Sequence, residues 1–139
     1  MSDVEFPNQM QTIADFQAFH RWLDEQKQFD PDIMFNMVLL TGEVGEVAEV
    51  LKQVRKTARG LQKRQDAPPD GAMESALADH REELGAELAD CLGYIFKLAN
   101  YCDIDLQEAY LEKMAVNIRR SWQATAQWRG RTCWRKVRG

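Results

Sequence analysis

The chain has 139 residues, 45% of them apolar and 29% charged. That is the size and composition of one ordinary soluble domain able to bury a core without disulfide or metal staples. No run approaches the ~18 consecutive apolar residues of a membrane span, and the acidic, polar stretch from Met1 to Gln11 is unlike a secretory or transit leader. Three widely spaced cysteines (Cys91, Cys102, Cys133) make neither a disulfide framework nor a zinc ribbon. Membrane and fibrous classes are excluded, and a reducing cytoplasm is the expected compartment. The net charge of −4 divides unevenly: residues 1–112 carry 10 Lys and Arg against 22 Asp and Glu, whereas residues 113–139 carry 8 Lys and Arg and no acid. Such a division suits nucleic-acid binding, self-neutralisation within an oligomer, or an acidic metal-holding body whose basic end meets phosphate.

The first predicted helix covers Thr12 to Phe29, with Ile13, Phe16, Phe19 and Leu23 at helical intervals. Asp30-Pro31-Asp32 closes it and opens the next, since proline suits a first helical turn and Asp an N-cap. The second helix is expected from Asp32 to about Arg59, on a stripe of Ile33, Met37, Leu40, Val44, Val47, Leu51, Val54 and Ala58. Gly60 to Gly71, rich in proline, glycine and charge, reads as a loop. A third helix is predicted over Met73 to Tyr101 through Leu77, Leu84, Leu88, Cys91, Ile95 and Leu98. Asp105 and Glu108 resemble a capping box that opens a fourth helix to about Trp122. No segment shows clean period-two alternation with β-branched residues, so the expected fold is all-α.

Both long helices carry acids on the apolar side. At 100° per residue, Leu39, Glu46, Val47, Val50 and Val54 fall within about 60° of Glu43, and Lys52 and Lys56 lie on the far side. Gly42 and Gly45 leave small surfaces beside these acids at a cost of about 1 kcal/mol each in helix propensity. Glu83, Asp90, Cys91, Tyr94 and Leu98 gather likewise around Glu87. A buried unpaired carboxylate is very unfavourable. Either Lys and Arg from other helices pair with these acids, or the two i,i+3 pairs face each other around a divalent cation. Oxygen ligands select a hard ion, Mg²⁺ with Mn²⁺ as a substitute. A di-iron site requires Glu-x-x-His, and no histidine lies near either pair.

The motifs Gly42-Glu43-Val44-Gly45-Glu46 and Glu87-Leu88-Ala89-Asp90, followed by Lys113-x-x-x-Asn117-x-x-Arg120, resemble those of the MazG-like all-α nucleoside triphosphate pyrophosphohydrolase superfamily. The likeness covers about Asp15 to Trp122. It implies a four-helix bundle, two long central helices carrying the acidic motifs, assembled as a dimer or tetramer. It also implies hydrolysis of a (deoxy)nucleoside triphosphate to monophosphate and pyrophosphate in nucleotide-pool house-cleaning. Under that likeness Glu43, Glu46, Glu87 and Asp90 bind Mg²⁺. Lys113 and Asn117 reach the phosphates, Tyr94 and Arg120 support them, and Phe29 and Phe35 wall the base. Glu46 is the candidate to take the water proton, with Glu49 and Glu83 as outer helpers. Independently, Tyr110, Lys113, Asn117 and Arg120 share one helical face, which a solvated basic face explains equally well.

The expected division is a pyrophosphohydrolase domain over 1–122 and a basic tail over 123–139. The tail interleaves Trp128 and Trp134 with Arg129, Arg131, Arg135 and Arg138 just beyond Trp122. Such a tail stacks on single-stranded bases or, more commonly, packs on a partner subunit. Two alternatives therefore stand beside the leading reading: phosphoribosyl-ATP pyrophosphohydrolase, and a non-catalytic helical oligomer that binds nucleic acid through the tail. A nucleic acid is not the expected partner. His20 and Trp22 are expected to pack, and His80 to face solvent.

Overall fold

The computed structural model of the chain describes residues 10–64, 71–120, 122–128 and 131–136. Helix α1 (Ile13–Lys27) starts at a reciprocal cap. Thr12 Oγ1 accepts from the Asp15 amide at 3.1 Å, and Asp15 Oδ2 accepts from the Thr12 amide at 2.8 Å. It stops at Gln28, whose φ of 54° turns the chain into the left-handed region. Asp32 then caps helix α2 (Ile33–Arg64), its Oδ1 accepting from the Phe35 amide at 2.6 Å. Asn36, almost fully buried, donates to the Asp30 and Asp32 carbonyls at 2.8 and 2.7 Å and fixes the bend around Pro31.

Helix α2 is 32 residues long, about 48 Å. It passes through Gly60 and ends at Arg64, beyond the expected stop at Arg59. The penalty of about 1 kcal/mol for one glycine is offset by the helix formers Leu61 to Arg64. The rest of the expected loop, residues 65–70, lies outside the described residues. The predicted third helix is two helices, α3 (Ala72–Asp79) and α4 (Arg81–Tyr101), interrupted at His80. His80 is half-buried, not solvent-exposed as expected. Its Nε2 lies 3.2 Å from Thr57 Oγ1 and its Nδ1 3.3 Å from Glu83 Oε2. Those two contacts hold the ring against α2 at the point where the helix breaks.

Asp105 caps helix α5 (Leu106–Ile118), accepting from the Glu108 amide at 2.9 Å. This helix ends four residues short of Trp122. The tail does not continue it. Strand β1 (Trp122–Trp128) pairs antiparallel with strand β2 (Arg131–Lys136), with an irregularity between Ala124 and Ala126. The all-α expectation therefore holds for the five helices and fails for the tail. The signal was available: Trp122-Gln-Ala-Thr-Ala-Gln-Trp128 alternates apolar and polar residues, although Thr125 is the one β-branched residue among the seven.

Helices α2 and α4 form the most extensive pair, α3 rests on α2, α1 on α4, and α5 chiefly on α1. Val54 and Ala58 meet Ala76 in the core. At the other end Phe16 stacks on Phe96 with centroids 5.6 Å apart, and His20 stacks on the same ring at 5.6 Å. Trp22 packs near Phe19, so His20 and Trp22 are packing residues as expected. A methyl group on Gly93 would lie 3.3 Å from His20 Cε1, so the absence of a side chain there lets the His20 ring pack against α4. Buried Gln17 joins three elements. Its Nε2 donates to Asn100 Oδ1 and the Ile104 carbonyl, and its Oε1 accepts from the Leu106 amide at 2.9 Å.

Much apolar surface stays uncovered. Of the stripe expected on α2, Val54 and Ala58 are buried, while Ile33, Met37, Val44 and Leu51 are 45–54% exposed. Met34, Val38, Leu111 and Ile118 are more exposed still.

Candidate active site

The two acidic motifs face each other across the α2–α4 seam. One carboxylate oxygen from each of Glu43, Glu46 and Glu87 lies within 4.8 Å of the other two. Glu43 and Glu87 are half-buried and Glu46 is exposed. Asp90 stands beside this trio, close enough to act electrostatically on Glu43 and Glu87. The i,i+3 spacing within each helix and the pairing of the two helices account for the cluster without any loop.

Its electrostatics are those of crowded like charges. Burial, then Glu46 and Asp90, hold the Glu43 carboxyl above its ordinary value. Burial also raises Glu87, followed by the charge and a hydrogen bond of Glu46 and the charges of Asp90 and Glu43. The phenol of Tyr94, one turn beyond Asp90, is raised by burial and then by Glu43 and Asp90, which places it at the edge of the cluster.

Among the described residues no Lys, Arg or His forms an ion pair with Glu43, Glu46, Glu87 or Asp90. The ion pairs found there are Lys52–Glu49, His80–Glu83 and Lys97–Asp24. Pairing with cations from other helices, one of the two sequence-level explanations, therefore has no representative among the described residues. Glu49 is engaged with Lys52 at 2.6 Å, and Glu83 turns to His80. Both still line, with Glu46, Val50, Gln53 and Glu87, a hollow of about 230 Å³ beside the trio. An oxygen-only donor set of crowded carboxylates without a counter-cation fits a hard divalent ion.

The remaining expected site residues divide into two groups. Phe29 comes to the Tyr94 side of the cluster: Lys97 Nζ sits 4.2 Å from the Phe29 ring centroid and 5.4 Å from that of Tyr94. Phe35, in the first turn of α2, is half exposed. Lys113, Asn117 and Arg120 lie on or just after α5, away from α2. Arg120 donates to Asn117 Oδ1 at 2.7 Å. The chain does not gather these three with the acids.

Sequence reasoning missed Lys97, Asp24 and Tyr101. Lys97 pairs with Asp24 Oδ1 at 3.4 Å, and the Tyr101 hydroxyl donates to Asp24 Oδ2 at 2.5 Å. A usable signal existed: Lys97 is a lone cation at i+3 from Tyr94 and i+7 from Asp90, on the acid-bearing face of α4.

Residues 33–123 match the family model of the MazG nucleotide pyrophosphohydrolase domain. The chain is similar to a mouse dCTP pyrophosphatase 1, with 36% identity over 84 residues, 60% of this chain and 42% of that protein. The chain thus spans less than half the length of this curated relative. No solved structure matches the chain significantly.

Proposed function

The chain belongs to the MazG nucleotide pyrophosphohydrolase family, and from that premise we propose that it hydrolyses (deoxy)nucleoside triphosphates to monophosphate and pyrophosphate as a Mg²⁺-dependent house-cleaning enzyme. The observation that carries the proposal is the trio of carboxylate oxygens within 4.8 Å, with no protein cation paired to them among the described residues. Glu43, Glu46, Glu87 and Asp90 would hold the metal. A Mg²⁺ ion bound there supplies charge neutralisation for the triphosphate and acidifies a bound water.

The chain's own residues do the rest. A water oxygen attacks the α-phosphorus, the bridging bond to the β-phosphate breaks, and pyrophosphate carries away that bridging oxygen and its electron pair. Glu46, the most exposed member of the trio, takes the water proton. Tyr94 and Phe29 border the space beside the acids and wall the nucleoside end, with Phe35 as a further wall. The mouse relative's name makes dCTP the first base to test.

A homo-oligomer, dimer or tetramer, completes the reading. The exposed apolar residues of α2 and α5 need cover, and Lys113, Asn117 and Arg120 would reach the phosphates from a second copy's α5. Residues 1–122 form the enzymatic domain in this reading, and 123–139 an appended tail. The described helices include none long and apolar enough to cross a membrane, and we place the protein in the cytoplasm. The test is pyrophosphate release from canonical and modified nucleoside triphosphates with Mg²⁺ and with EDTA. Metal-dependent release, with dCTP among the turned-over nucleotides, is expected; folded protein that turns over no nucleotide overturns the proposal.

A further inference from the structure

Along one flank of α2 the charge changes sign. Glu46 and Glu49 are followed at helical intervals by Gln53, then Lys56, and then Lys63, with Gly60 between them. Of the ten Lys and Arg in residues 1–112, six fall between Lys52 and Arg64, a stretch without an acid. A solvated helix face usually intersperses acids with its cations, because like charges at i,i+4 destabilise a helix. Here Lys52 leans back to Glu49, while Arg55, Lys56, Arg59 and Lys63 have no carboxylate partner among the described residues. These cations and Thr57 line a hollow of about 840 Å³ that Gln53 also borders. Gln53 borders the acidic hollow beside Glu46 and Glu87 as well, so the two depressions adjoin on one helix.

We infer that the cationic half of α2 is an anion subsite for a short oligophosphate, centred on Lys56, Arg59 and Lys63. Lys56 to Lys63 is about two helical turns, about 10 Å, and presents ammonium and guanidinium donors, with no aromatic residue among the described residues that line the hollow. Linked phosphate groups suit point charges and a guanidinium fork in that arrangement. The naming of oligophosphate rests on the pyrophosphohydrolase reading. Arg59 lies about 20 Å along α2 from Glu46, farther than a triphosphate held at the acids extends, so the ligand is pyrophosphate after its release.

The experiment is calorimetric titration of the full chain with inorganic pyrophosphate in EDTA at low ionic strength, where the acids hold no metal. It requires no turnover, so its outcome is separable from the failure of the enzymatic reading. The wild type is expected to bind one pyrophosphate per chain, and Lys56→Glu/Arg59→Glu at least tenfold more weakly. The milder Lys56→Ala/Arg59→Ala pair, checked for unchanged helicity, guards against a folding artefact. No binding by the wild type, or unchanged binding by a folded double variant, overturns the subsite. So does a short single-stranded oligonucleotide that binds the same residues more tightly than pyrophosphate. With active enzyme, a raised inhibition constant for pyrophosphate at constant KM assigns the site to released product. A parallel rise in KM overturns that assignment.

Discussion

Asp24 on α1 and Lys97 on α4 form an ion pair whose side chains are only 11% and 12% exposed. The Lys97 ammonium lies over the Phe29 ring and the Tyr101 hydroxyl closes on Asp24. Burial, together with the Asp24 hydrogen bond and charge, pushes the Tyr101 phenol well above its ordinary range. Removing one member leaves the other charge uncompensated. Lys97→Met is expected to cost about 3 kcal/mol, whereas Asp24→Leu/Lys97→Met recovers most of that loss. Urea unfolding of both variants measures it, and a double variant no more stable than the single one contradicts the pairing.

The acid trio predicts a pH-dependent metal response. Glu43 and Glu87 have folded pKa values raised above the ordinary 4.5. Their contribution to metal-free stability is therefore present below pH 4.5 and lost as pH rises through the raised values. Mg²⁺ should relieve that loss: a clear rise in Tm at pH 7.5 and little at pH 4.5, read by thermal melts with Mg²⁺ or EDTA.

Glu46→Gln removes the group assigned to the water proton. Turnover is expected to fall about 10²–10⁴-fold, while helix content is retained because Glu46 is exposed. Steady-state kinetics and circular dichroism report the two sides. Turnover within threefold of wild type would remove Glu46 from the mechanism.

His20 supplies a second pH dependence, opposite in sense to the acids. Burial, with a smaller contribution from Lys97, lowers its pKa below 6.5 against the pull of Asp24. The unfolded chain then binds the proton more readily, so stability is lost as pH falls below 6.5 toward the folded value. His20→Phe is expected to flatten stability between pH 7 and 5.5, measured by urea midpoints.

Gln17→Leu tests the junction of α1, α4 and α5. It leaves the Leu106 amide without its acceptor and removes the Gln17 donor from the Ile104 carbonyl, while Asn100 Oδ1 keeps its bond from Arg21 at 2.7 Å. A loss of about 1–3 kcal/mol is expected, measured by denaturant midpoint.

The acid site was legible in the sequence because both of its determinants are local. Helical spacing puts Glu43 with Glu46 and Glu87 with Asp90, and an acid on an apolar face requires an explanation. The capping residues Asp32 and Asp105 were legible for the same reason. His80 was not: its break depends on Thr57, 23 residues away. The Asp24–Lys97 pair joins residues on two helices, and neither looks unusual alone. The tail's pairing was legible in part: Trp122 to Trp128 alternates with period two but holds one β-branched residue, and its partner Arg131 to Lys136 does not alternate, so nothing local displays the register.

Gly93 sets how closely α4 can approach the His20 ring of α1. With only hydrogen on Cα, α4 accepts the His20 ring at a distance where one methyl group would already crowd it. The spacing of α1 from α4 thus depends on a missing carbon atom at a position that bears no functional group. An enlarged side chain at 93 would act as a spacer between α1 and α4. The separation of these two helices can therefore drift through a residue outside the acid cluster.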